Sequence, residues 1–169
     1  GLSGSGKSTL SAMLGENGWR FMGDEFALLC LDSGMIQPFP RLISLKNEAI
    51  PAMNELVPAD RFGPLLQGTP KGDIQHLQPQ QAAVETMDVL AKPALLLFPR
   101  FGHDGALRNM GKSEIFVRLT QASTNYVALG ETGFRALTRF VDEVPVKAMD
   151  YQSGDEAQAM IDKLWAELR

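Results

Sequence analysis

The sequence predicts an α/β domain with a mixed sheet and hairpins, and three observations carry that expectation. A glycine-rich stretch, "GLSGSGKSTL", runs directly into a helical pattern. Apolar runs of strand length, "ALLLFP" and "VPVKAMDY", alternate with the helical periodicities of "KSEIFVRLTQAS" and "ETGFRALTRFVDEV". Turn residues break the first half into short runs in an uneven order, which argues against a simple doubly wound sheet. With 169 residues, the expectation is one domain over 1–169 with a sizeable core.

In chain order, a helix is expected from about Lys7 to Glu16, ended by Asn17-Gly18, which tolerate positive φ. "WRFMG" reads as a short strand ending at Asp24-Glu25, and "FALLCL" as another. "LDSGMIQPF" reads as a hairpin with Asp-Ser-Gly at its tip. "SLKNEAIPAMNELV" has helical spacing with Ser44 as its cap, although Pro51 suits only the first turn and so favours a later start. Pro58 to Gln81 is rich in Pro, Gly and Gln and reads as loop with a short strand at "DIQHL". "ALLLFP" reads as a strand buried on both faces. "GDEAQAMIDKLWAELR" is an amphipathic terminal helix with Ile161, Leu164 and Leu168 on one face and Asp155 and Glu156 at its positive end.

A net charge of -4 gives no general pull toward nucleic acid or anionic lipid, and no apolar run is long enough to span a bilayer. The single cysteine, Cys30, allows no intrachain disulfide and suits a reducing cytoplasm. Its apolar run favours a packed thiol over a reactive one.

Gly1, Gly6, Lys7 and Ser8 match G-x-x-x-x-G-K-[ST]. Glycines let such a loop curl so that its N–H groups point at phosphate oxygens, and the helix that follows brings its positive end to the same place. Lys7 then bridges the β- and γ-phosphates of ATP, and Ser8 binds Mg2+. The expected nucleotide-binding set is Gly1, Leu2, Ser3, Gly4, Ser5, Gly6, Lys7, Ser8 and Thr9. A strand normally feeds this loop, so the expectation is of a domain truncated at its N-terminus, with that strand missing. The bland alternative is a Gly/Ser-rich turn before a helix.

Asp24 and Glu25 follow Lys7 by 17 and 18 residues. That span holds one helix and one short strand, so a strand running back beside the loop would bring both carboxylates near the γ-phosphate. Adjacent residues on a strand face opposite ways, so both reach the site only if the strand ends there. One carboxylate would then serve Mg2+ and the other would accept the proton of an attacking hydroxyl. The bland alternative is a solvated turn.

The stretch "GLSGSGKSTLSAMLGENGWRFMGDEFALL" resembles the nucleotide site of the HPr kinase/phosphorylase family, including the Gly18-x-Arg20 before the acidic pair. It is also similar to the nucleotide loop of ATP-dependent phosphoenolpyruvate carboxykinase, a far larger enzyme of related fold. "FPRLISLKNEAI", "GTPKGDIQHL", "LLLFPRF" and "ASTNYVALGETGF" resemble the branch called HPr-kinase-related kinase A. The resemblance implies a P-loop kinase core of the HPr kinase/phosphoenolpyruvate carboxykinase type. The implied reaction moves the γ-phosphate of ATP to a hydroxyl, on a protein serine. It further implies Lys7 as catalytic lysine, Asp24 and Glu25 as the acid pair, and Glu25 as proton acceptor where the family has Asp. Ser8, Asp24 and Glu48 become the metal ligands, and a homo-oligomer is implied because parent enzymes assemble as hexamers. The parent family's basic loop for phosphorolysis has no counterpart here. Two further readings stand beside the kinase: a nucleotide-binding scaffold with little catalysis, and a small-molecule kinase.

Other polar residues carry the same kind of alternatives. Lys46 and Asn47 flank Glu48 in a polar knot that either reaches a phosphate or starts a helix. Lys71 either closes over a nucleotide, contacts the acceptor or is solvated. His76 alternates with apolar neighbours, which favours a structural role, and His103 sits in a turn. Arg100, after an apolar strand, is a candidate for neutralising charge on a transferring phosphoryl group. Asn125-Tyr126 favours packing at a helix end.

Overall fold

The computed structural model describes residues 5–168. They form a mixed α/β protein with three sheets and six α-helices, in two compact units. No helix among them is long and apolar enough to cross a membrane.

The first unit comprises Gly6–Leu28 and Gln37–Leu90. Helix α1 spans Lys7–Glu16, as the sequence predicts. It ends where Gly18 turns left-handed at φ +88°, so that the Trp19 N–H reaches the Leu14 carbonyl at 3.0 Å. "WRFMG" does not become a strand. Phe21 is buried, with its Cβ against Gly15, and the Met22 carbonyl accepts the Phe39 N–H at 2.6 Å. The segment is held by side-chain burial and single tertiary bonds, with no ladder. "FALLCL" yields only β1, Leu28–Leu29, which pairs with β2, Ile36–Gln37. The predicted hairpin is present, with Asp32-Ser33 in its turn and Gly34 at φ +71°, and these turn residues belong to the second unit.

The predicted helix cap at Ser44 is corrected. Ile43 and Leu45 are buried while Ser44 and Lys46 are half-buried, a period of two, and β3 runs Ile43–Lys46. Helix α2 starts late, at Ala49, with Pro51 in its first turn, where no intrahelical N–H is needed. Between Pro58 and Gln81 the expected strand at "DIQHL" is present, but the rest is less loop than expected. The stretch holds a 3-10 turn at Ala59–Arg61 and a hairpin of β4, Leu66–Thr69, and β5, Gly72–Leu77. The turn "TPKG" closes through Thr69, whose hydroxyl donates to the Gly72 carbonyl at 2.6 Å and accepts the Lys71 N–H. The sheet order is β3-β5-β4. Short helix α3, Gln81–Glu85, completes the unit. The core gathers Ala12, Phe21, Ile43, Leu45, Met53 and Leu77, and α1 packs on β3 and α2.

Glu16, at the end of α1, is tied to the 3-10 turn by both arms of Arg61 at 2.8 Å, and it also accepts from Gln80 at 3.1 Å. The pair is about four-fifths buried, with side-chain accessibilities of 21% and 17%. Arg61→Ala strips the carboxylate of its charge partner and is expected to cost about 2 kcal/mol in urea unfolding. A loss below about 0.5 kcal/mol would mean that the pair acts as an ordinary surface bridge.

The second unit comprises Ser5, Leu29–Ile36 and 91–168. Its sheet has order β6-β8-β7, from Leu96–Phe101, Val146–Tyr151 and Ala106–Asn109. β6 and β8 are parallel and β7 is antiparallel to β8, so the sheet is mixed. β6, which takes in the last four residues of "ALLLFP", is therefore an edge strand, half-buried from Leu96 to Pro99 and exposed at Arg100 and Phe101. The buried strand is central β8, from Ala148 to Tyr151. Helices α4, Lys112–Ala122, and α5, Tyr126–Glu143, pack together, with a break at Gly130. Tyr126 meets Phe116 edge-on, a packing role. Helix α6, Gly154–Glu167, starts at Ser153, whose hydroxyl accepts the Glu156 N–H. Ile161 and Leu164 are buried, but Leu168 is exposed.

Candidate functional site

Gly1, Leu2, Ser3 and Gly4 of the expected nucleotide loop lie outside the described residues. Ser5 and Gly6 form the bend that enters α1. Gly6 is left-handed, φ +84° and ψ 4°, and its carbonyl accepts the Leu10 N–H at 2.9 Å, the first bond of the helix. An L side chain there would be strained, so glycine is required by the backbone itself. Lys7, Ser8 and Thr9 form the first turn of α1. That turn contains no acidic residue to oppose the positive helix end. Buried Ala12 and Gly15 seat the helix in the core of the first unit. The sequence thus fixes a glycine bend, a lysine and a hydroxyl at the N-terminus of an anchored ten-residue helix.

Asp24 and Glu25 are in the same unit, on a bend and not at the end of a strand. Gly23 sets that bend. A Cβ on it would stand 3.1 Å from the Phe39 carbonyl oxygen and 3.3 Å from that of Phe26, both backbone atoms. The absence of a side chain lets the Phe39 backbone come close, and its N–H donates to the Met22 carbonyl just ahead of the acidic pair. Arg20 anchors the approach by donating to the Val89 carbonyl at 2.9 Å. Asp24 is half-buried. Glu25 is exposed, and its carboxylate lies 3.6 Å from the Arg41 guanidinium. Arg41 also stacks over the Phe39 ring at 5.7 Å. Sequence reasoning passed over both Gly23 and Arg41; a glycine directly before paired acids was the available signal for the first.

Glu48 is also in this unit, exposed, at the residue before α2. Among the described residues, no three His, Cys, Asp or Glu side chains gather as a metal site. Asn47 is structural. At φ +49° its side-chain oxygen accepts the Asp73 N–H, and its backbone N–H donates to the Asp73 carbonyl. Gly72 must be glycine there, because a Cβ would overlap the Asn47 amide. Lys71 is exposed at the hairpin tip, and His76 is half-buried in β5 opposite Ser44.

Arg100 belongs to the second unit and is already engaged. Its Nε and one terminal nitrogen donate to Asp150 at 3.0 and 2.7 Å. Asp150, an acid in the apolar strand "VPVKAMDY", was missed by the sequence reading. The Arg100 hydrogen bonds hold its carboxyl below the usual carboxylate range, while burial acts the other way. The charges of Arg100, Arg108 and His103 add to the lowering. A depressed folded-state value means that the stabilisation is complete above the unfolded value of about 4 and is lost as pH falls through the folded one. Asp150→Asn should therefore lower the melting temperature at pH 6, and the gap to the wild type should close as acid titrates the wild type. A gap constant down to the acid limit would contradict this.

Compared with known proteins, the chain matches no family model, no curated protein and no solved structure.

Proposed function

We propose that the chain is a P-loop phosphotransferase that moves the γ-phosphate of ATP to a hydroxyl, on a protein serine, in a reducing cytoplasm. The observation that carries the reading is left-handed Gly6 opening α1 directly onto Lys7 and Ser8, with an acid-free first turn. In this reading the loop amides and Lys7 bind the phosphate chain. Asp24 and Glu25 divide the remaining roles, one orienting the metal and the other taking the proton of the acceptor hydroxyl.

Mg2+ fits the donor set. It keeps several waters and phosphate oxygens and needs only one or two protein ligands, and in this reading the Ser8 hydroxyl and the half-buried Asp24 carboxylate, which belong to one unit, would hold it. When bound, it would neutralise charge developing on the phosphate oxygens. Glu48, exposed ahead of α2, is the third proposed ligand.

The exposure of Glu25 and its contact with Arg41 favour a second reading, a nucleotide-binding scaffold with little catalysis. Calorimetric titration with Mg-ATP, run beside label transfer from γ-labelled ATP in lysate, separates the readings. Binding with label on proteins supports the kinase. Binding with no transfer supports the scaffold, and label confined to metabolites indicates a small-molecule kinase.

A further inference from the structure

We propose that Arg100 and Arg108, in the second unit, form a phosphate-binding site built on the buried carboxylate of Asp150. The Asp150 side chain is only 7% accessible, whereas those of Arg100 and Arg108 are 54% and 56% accessible. Arg100 reaches the carboxylate with two nitrogens, and Arg108 approaches the same Oδ2 at 3.6 Å. Two guanidinium groups this close would repel in open solution. The carboxylate beneath them holds both in register.

Binding Asp150 occupies one edge of the Arg100 fork and leaves donors on the other side facing water. Two arginines and one aspartate leave one net positive charge, in a chain whose total is -4. A dianionic phosphate with several acceptor oxygens matches paired forks better than a carboxylate, which presents two oxygens and one charge. The position agrees with this chemistry. Arg100 and Asp150 are register partners near the carboxyl ends of parallel strands β6 and β8, the end at which α/β sheets bind ligands. The acids that follow these strands, Asp104 and Glu156, are both engaged by Gln152, through its side chain and its backbone N–H. The simpler alternative is an ion pair that only fastens β6 to β8.

The site is read directly by NMR of the arginine Nε–H groups, titrated with inorganic phosphate, phosphoserine and acetate. The Arg100 and Arg108 signals should move and saturate with phosphate. Arg108→Gln, which leaves the Arg100–Asp150 bonds in place, should weaken binding about tenfold. Arg100→Lys should weaken it too, since it keeps the charge but loses the fork. Phosphoserine binding at least as tightly as inorganic phosphate would assign the natural ligand to a phosphoryl group carried on another molecule, and weaker binding would assign it to free phosphate. Signals that stay still, that respond equally to acetate, or that titrate unchanged in Arg108→Gln would overturn the proposal.

Discussion

Lys7→Ala is expected to reduce ATP-dependent phosphate transfer at least about a hundredfold, the scale seen when one positioned donor to a reacting oxyanion is removed. The lysine stands first in α1, directly after the left-handed Gly6. Its ammonium adds a full charge to the partial charge of the helix end, so affinity for Mg-ATP should fall together with turnover. The side chain is half-buried at the helix entrance, while the anchoring contacts come from Ala12 and Gly15 further along. The fold should therefore survive, and circular dichroism with a melting curve checks this. Wild-type transfer by Lys7→Ala would remove the nucleotide loop from the chemistry.

Glu25→Gln should separate binding from chemistry. The amide keeps the size of the carboxylate but cannot accept a proton, so ATP affinity should hold while transfer falls by about two to four orders of magnitude. Glu25 is exposed and its contact with Arg41 is at the surface, so stability should change by less than about 0.5 kcal/mol. Parallel measurement of ATP affinity and single-turnover transfer provides the check. Undiminished transfer would shift the proton-accepting role to Asp24 or elsewhere.

The parts of the fold legible in the sequence were those with strong local signals. Helix α1 could be bounded because its start is fixed by the glycine loop and its end by Asn17-Gly18, both local devices. Strand β8 and helices α4 and α6 followed from apolar periodicity. The misreadings lie where partners distant in sequence decide the backbone. "ISLK" shares apolar spacing with a helix, but its pairing with residues 74–77 makes it a strand. "WRFMG" has strand composition and no ladder partner. "ALLLFP" is apolar throughout yet lies at a sheet edge, because β8 takes the centre.

The candidate site divides in the same way. The phosphate-loop pattern was visible because each residue has a fixed backbone task, and the conformation of Gly6 fits the task expected of it. The acidic pair was visible as composition, but its bend was not, because Gly23 needs Phe39 and Phe26 to make its meaning apparent. Asp150 showed least of all. A single acid in an apolar strand acquires its role only when Arg100 and Arg108, 50 and 42 positions away, are brought to it.

The most direct test of the phosphotransferase reading is label transfer from γ-labelled ATP, with wild-type chain beside Lys7→Ala and Glu25→Gln at equal concentration. The expected result is protein-bound label with the wild type, lost in both variants, with ATP binding kept by Glu25→Gln alone. Label transferred equally by all three, or by none while the wild type binds Mg-ATP, would contradict it.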